Sequence, residues 1–146
     1  MNNSKSDQWN ERNESAEGLV KLLQEIPKIE ENYEPTVKKI NNALLNLLND
    51  THFKVVENSL KGIAESITLY YNIFTPFIEK LIPLLLQCLA DKKEEISKAS
   101  NYVLEIVKGN YPADDLIPLF FKCIESNVGW KVKTGALEVL NFLNKE

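Results

Sequence analysis

The sequence predicts an all-α fold, a right-handed α-solenoid of about four helical hairpins. Two observations carry this prediction. Apolar residues recur at three- and four-residue spacing along most of the chain, and no run of alternating β-branched residues bounded by hairpin turns interrupts them. A short signature, a bulky residue and then cations at the mouth of a helix, also recurs after polar turns: Trp9-Asn10-Glu11-Arg12, Phe53-Lys54-Val55-Val56 and Trp130-Lys131-Val132-Lys133.

The elements follow in order. Met1 to Asp7 is polar and reads as a disordered leader, with a single domain over 8–146. Tyr33 to Leu48 places Val37, Ile40, Leu44, Leu47 and Leu48 on one stripe opposite Lys38, Lys39, Asn42 and Asn46. After Asn49-Asp50-Thr51, where Thr51 or Asp50 can cap, a helix from Phe53 to about Leu69 carries Val56, Leu60, Ile63, Ala64 and Ile67. Thr75 is the expected N-cap of a helix to Leu89, with Pro76 at its start and a bend at Pro83. Glu94 to Lys108 follows the Asp91-Lys92-Lys93 turn, then Pro112 to Glu125, then Trp130 to Leu143 after Ser126-Asn127-Val128-Gly129.

Internal repetition sharpens the pattern. The first inward residues of the returning helices are Val55, Ile96 and Val132, separated by 41 and 36 residues, near the roughly 40-residue period of HEAT and armadillo units. Four residues past each anchor stands a small residue (Ser59, Ser100, Ala136), and eight past it a large aliphatic one (Ile63, Leu104, Leu140). Carried backward, the register places Glu11, Ser15 and Leu19 in a degenerate first unit.

Composition narrows the function. With 146 residues and 44% hydrophobic content the chain supports one compact core. A net charge of -4 argues against a nucleic-acid binder, which needs a concentrated positive field. Apolar runs such as Leu81 to Leu86 fall short of the roughly 20 residues that span a bilayer, and no secretory signal opens the chain, so a cytoplasmic monomer is expected. Cys88 and Cys123 occupy similar repeat positions and read as buried core residues; no four-ligand metal spacing accompanies them. His52 is the only histidine, which excludes histidine-based triads and multi-histidine metal sites, and no phosphate-cradling glycine loop occurs. No catalytic residue, metal or cofactor is therefore expected. A stack of hairpins presents edges and long faces, so binding is the default expectation and enzymatic activity is not.

All turns that join outgoing and returning helices should share one edge. It would carry Trp9 and Arg12, then Thr51, His52, Phe53 and Lys54, then Lys92 and Lys93, then Trp130, Lys131 and Lys133. Aromatic anchors flanked by cations suit a protein interface with an acidic partner. Phe53 reads more readily as a hydrophobic staple, His52 as a solvent-facing turn residue, and Asp50, Glu57, Asp91, Glu94 and Glu95 could neutralise the strip.

The residues of that edge resemble the TOG domains of microtubule polymerases and CLASP-type stabilisers. Trp9-Asn10-Glu11-Arg12-Asn13-Glu14-Ser15-Ala16 matches the start of that family's first HEAT repeat in the Trp, the acid, the Arg and the second Glu, and the later turns look similar. The resemblance implies binding of αβ-tubulin through the turns, regulation of microtubule dynamics and a cytoskeleton-associated location. Trp9 would anchor on β-tubulin, and Lys54, Lys92, Lys93, Lys131 and Lys133 would make electrostatic contacts. Asn10 and Ser97 depart from the family's basic residues, and about four repeats stand where the family has six, as in a fragment or a shortened relative. The segment from about Leu60 to Leu143 also resembles the HEAT region of fungal translation elongation factor three and a related translational activator, which implies the ribosome as partner. A generic HEAT interaction scaffold is the third reading.

Overall fold

The computed structural model describes residues 8–29, 31–125 and 130–145, with side chains in all of these except 27–29, 130–132 and 142–145. The predicted leader thus lies outside the described residues. Seven α-helices are described: α1 (Trp9–Ile29), α2 (Glu34–Leu47), α3 (Phe53–Phe74), α4 (Ile78–Leu89), α5 (Glu94–Asn110), α6 (Ala113–Glu125) and α7 (Trp130–Lys145). No strand occurs among the described residues. The expected all-helical solenoid is what the chain forms.

The repeat register explains how the helices stack. Residues four apart lie on one helix face, and the stripe of each returning helix is buried: Ser15 and Leu19 in α1, Val55, Ser59 and Ile63 in α3, Ile96, Ser100 and Leu104 in α5, Ala136 and Leu140 in α7. The small residue at the fourth position lets backbones approach. Ser59 Oγ donates to the Val55 carbonyl and Ser100 Oγ to that of Ile96, each at 2.7 Å, whereas the buried Ser15 hydroxyl has no hydrogen-bond partner among the described residues. Helices α1, α3 and α5 pack side by side as one layer, and α2, α4 and α6 pair with α3, α5 and α7 as the outgoing arms of the hairpins. Helices also approach closely at Gly62, where a Cβ would sit 2.9 Å from Leu44 Cδ2 and 3.0 Å from Val20 Cγ2.

The last unit departs from this layering. Helix α7 lies on α6 and also on α4, and a cleft of about 370 Å³ opens between α4, α5 and α7, lined by Leu86, Asn101, Leu104, Gly135 and Val139 among others.

Two capping expectations are corrected. The N-cap of α3 is His52, in extended conformation, whose side chain accepts the Lys54 amide; neither Thr51 nor Asp50 caps the helix. Thr75 does not cap α4 either. The helix of α3 runs on to Phe74 with a kink at Tyr70 (φ -139°, ψ 49°), and a 3-10 turn over Thr75–Phe77 joins it to α4. Thr75 Oγ1 instead donates back to the Tyr71 carbonyl at 2.9 Å, which also accepts the Tyr111 hydroxyl at 2.7 Å. Pro76 cannot donate to the preceding turn, which favours this local break. α4 continues through Pro83.

By length and composition alone the helical stretch Phe53–Leu89 could cross a membrane. Its kink and the burial of Leu60, Ile63, Ile67, Phe74, Leu81 and Leu85 place its apolar stripe in the protein core instead. Cys88 and Cys123 are buried thiols, as expected, and burial pushes the Cys88 thiol up to about 11 against a hydrogen bond with Ser100.

Candidate turn-edge interface

The N-terminal ends of α1, α3 and α5 meet along one edge, held by a ladder of rings. The Trp9 indole stacks on the His52 imidazole with centroids 3.9 Å apart and planes 6° from parallel. His52 in turn neighbours the Phe53 ring at 5.1 Å and 17°. Lys93 Nζ, from the turn before α5, lies 4.4 Å from the Phe53 centroid, with Lys54 Nζ at 5.8 Å. Three successive turns of the array are thereby joined into one surface.

Hydrogen bonds fix the centre of this ladder. The backbone N–H of His52 donates to Asp50 Oδ1 at 2.9 Å, and His52 Nδ1 accepts the Lys54 N–H at 3.2 Å. An accepting Nδ1 requires the neutral ring with its proton on Nε2. Asp50 also holds Arg12: Nε donates to Oδ2 at 2.6 Å and Nη2 to Oδ1 at 3.1 Å. Burial alone would raise the Asp50 carboxyl, but the Arg12 guanidinium and the His52 amide outweigh it and hold the group below its ordinary value.

This geometry revises several expected roles. Arg12, expected as a partner contact, is largely buried and forms a bidentate pair with Asp50 within the chain. His52 is not a solvent-facing residue; half-buried, it caps α3 and supports Trp9. Phe53 packs on the core, as a staple would, with one face toward Lys93. Trp9 keeps 44% of its surface exposed, and Thr51, Lys54, Lys92 and Lys93 are exposed. Lys54 is paired loosely with Glu57 at 3.8 Å, so the turn before α5 contributes the freer cations. Lys133 is half-buried in α7. The side chains of Trp130 and Lys131 lie outside those described.

Between the second and third turns the edge dips into a cleft of about 310 Å³ with an apolar floor from Leu48, Val56 and Ile96 and a rim that includes Thr51, Gln87 and Lys93. No cluster of three or more metal-ligating side chains occurs among the described residues.

Sequence placed Asp50 among the acids able to neutralise the strip but did not single out Arg12 as its partner. The available signal was Arg12, the only arginine beside sixteen lysines. A planar, two-pronged guanidinium is what a bidentate carboxylate partner requires.

Comparison with known proteins places this architecture. The chain is 29% identical over 144 residues to the CLIP-associated protein of Arabidopsis thaliana, covering 98% of this chain and 10% of that protein. It is 23% identical over 141 residues to the human stalled ribosome sensor GCN1, covering 94% and 5%. Over 73 residues it is 32% identical to elongation factor 3 of Gonapodya prolifera, covering 48% and 7%. The chain thus spans a tenth or less of the length of these curated relatives. A solved engineered protein shares the fold at 15% identity, with a TM-score of 0.61 over 92% of this chain and 57% of that one. Residues 12–146 match a described repeat family over nearly the whole array. With its stacked hairpins and repeated register, the chain belongs to the EF3 N-terminal HEAT repeat family.

Proposed function

We propose that this HEAT-repeat module is a non-enzymatic, TOG-like binding domain that takes αβ-tubulin on its turn edge and so regulates microtubule dynamics in the cytoplasm. The observation that carries the reading is the ladder of Trp9, His52, Phe53 and Lys93, which makes one exposed aromatic and basic surface from three turns. A half-exposed Trp held rigid before binding loses little entropy on docking, and such anchors contribute about 2 kcal/mol or more. Similarity to a CLIP-associated protein over nearly the whole chain supports the same partner.

Arg12 and Lys54 have carboxylates of their own, so attraction for acidic tubulin rests chiefly on Lys92 and Lys93. Size-exclusion co-migration with tubulin at low salt tests the reading. Trp9→Ala and the pair Lys92→Ala/Lys93→Ala should each weaken it; co-migration indifferent to both sinks the site.

A second reading, ribosome binding, has its own support. The family match starts at Arg12 and leaves Trp9 out, and the relatives include a ribosome sensor and an elongation factor. Co-pelleting with ribosomes that survives Trp9→Ala, together with no retention by tubulin, would move it to first place.

A further inference from the structure

Helices α3 and α5 pack closely, whereas α2 and α4, the outgoing arms behind them, meet only lightly. Between the C-terminal ends of those arms lies the cleft of about 310 Å³ that interrupts the turn edge, with Leu48 just past α2 and Gln87 and Cys88 at the end of α4. Its floor is core that the chain has not sealed. Leu44, Leu60 and Leu85, one turn along the same helices, are 0% exposed, while Val56 and Ile96 keep 5%, Leu48 6% and Cys88 7%. An apolar cavity of about 150 Å³ admits benzene, so roughly twice that volume has room for the side chain of a Phe, Leu or Met.

The charges that line the cleft differ in what they offer a ligand. Asp50 is engaged by Arg12 and by the His52 amide. Asp91 Oδ1 accepts the Lys93 backbone N–H at 2.8 Å within its own turn. Lys93 is the cation of the set: Nζ lies 4.4 Å from the Phe53 centroid, and no carboxylate forms an ion pair with it among the described residues. The ring thus holds an ammonium at the lip of an apolar cleft, with the exposed Lys92 beside it. A group that fills the cleft also excludes water from that ammonium, which strengthens its attraction for a carboxylate.

We propose that the cleft receives one large apolar side chain from an acidic segment of the protein partner, with a carboxylate next to that side chain set on Lys93. The proposal rests on the tubulin reading of this edge for the source of the segment. It adds a pocket to that reading, brings Gln87 into the interface and requires an apolar anchor between acids, where surface lysines alone would accept any acidic chain. His52, Phe53 and Lys93 line the cleft and Trp9 does not, so the partner is held at two separate points of one ladder.

The pentapeptide Glu-Glu-Phe-Glu-Glu, acetylated and amidated, is the probe, titrated into the full chain while backbone amide NMR shifts are followed. Saturable shifts at Thr51, Gln87 and Lys93, with Gly18 unmoved, are expected at about 1 mM. Exchanging the Phe for Ala, or the Glu residues for Lys, should weaken binding about tenfold. Lys93→Met should erase the preference for Glu over Lys flanks. Gln87→Trp, which fills the cleft from its exposed rim, should weaken binding about tenfold, whereas Asn72→Trp, at an exposed position near the other end of α3, should leave it unchanged. An unaltered urea midpoint in Gln87→Trp shows that the fold is retained. Both Trp variants are then compared with Trp9→Ala in tubulin co-migration, where loss in Gln87→Trp but not in Asn72→Trp supports the cleft. Co-migration that fails in Trp9→Ala yet is indifferent to Gln87→Trp overturns the proposal and leaves the tubulin reading standing, as does equal binding of the Phe and Ala peptides. Selective binding of the Phe peptide by a chain that does not retain tubulin has the opposite meaning: the cleft stands and serves another acidic protein.

Discussion

The indole of Trp9 lies flat on the imidazole of His52, 3.9 Å between centroids, although 43 residues of sequence separate them. This contact ties the first turn of the array to the second and fixes which face of Trp9 remains open. His52 serves two ends at once, since the ring that supports Trp9 also caps α3 through Nδ1.

The two roles of His52 separate by substitution. Asparagine keeps a capping acceptor and loses the ring, while alanine loses both. In a Trp130→Phe background, both variants should open Trp9 to acrylamide quenching to a similar extent. His52→Ala should be less stable than His52→Asn by about 1 kcal/mol in urea unfolding. Equal stabilities would show that the cap contributes nothing, and unchanged quenching that the stack does not persist in solution.

The Arg12–Asp50 pair sits between the limits of exposed and fully buried ion pairs. Removing one partner, Arg12→Ala or Asp50→Asn, should cost about 1–3 kcal/mol, less than the 3–5 kcal/mol typical of full burial. The double variant should cost less than the two single changes added together. Strict additivity in that cycle would mean the two groups do not interact.

The same pair gives the fold a pH dependence. Asp50 is held below its ordinary value of 3.8, so the native state favours its ionised form. That contribution is fully present above the unfolded value and is lost as pH falls past 3.8 and through the folded value. Urea midpoints measured between about pH 6 and pH 2 should fall less steeply in Asp50→Asn than in the parent below about pH 4. Parallel profiles would remove Asp50 from the account.

Gly18 and Gly62 stand at the same register position, seven past Glu11 and Val55, yet in opposite surroundings. A Cβ at Gly18 meets nothing within 4 Å, so Gly18→Ala should stabilise by about 0.5–1 kcal/mol through helix propensity. At Gly62 the same Cβ runs into Leu44 and Val20, and Leu44 is fully buried with no room to yield. Gly62→Ala should be net destabilising, by about 1 kcal/mol once the propensity gain is offset by overpacking. Thermal or urea unfolding of the two variants checks the sign of each, and a stabilising Gly62→Ala would show that the α2–α3 contact is looser than described.

The turn edge was legible in outline from sequence because aromatic and basic residues cluster at helix starts. Its internal economy was not. Whether a cation faces a partner or a neighbouring carboxylate depends on residues far apart in the chain, and Arg12 meets Asp50 across 38 residues. The lysines at 92 and 93 lie at a helix start as Arg12 does, yet remain at the surface.

By itself the sequence determined the all-helical class, the stripe that faces the core and the polar turns before α3 and α5, because these follow from local periodicity and from the polar breaks in it. The buried Ser59, Ser100 and Ala136 stand where the repeat register put them. Only the tertiary structure decided the cap of α3, the kinked course from Tyr70 through Phe77, the pairing of Arg12 and the stacking of Trp9. Each of these depends on which groups are brought together across the array, and α4 and α6, which share the run Leu-Ile-Pro-Leu at 81–84 and 116–119, make the point most directly: Ile82 and Leu86 are buried, Ile117 is half-buried and Phe121 is exposed. One stripe is buried and the other half open because α7 covers only the first, a difference that no reading of either segment alone could supply.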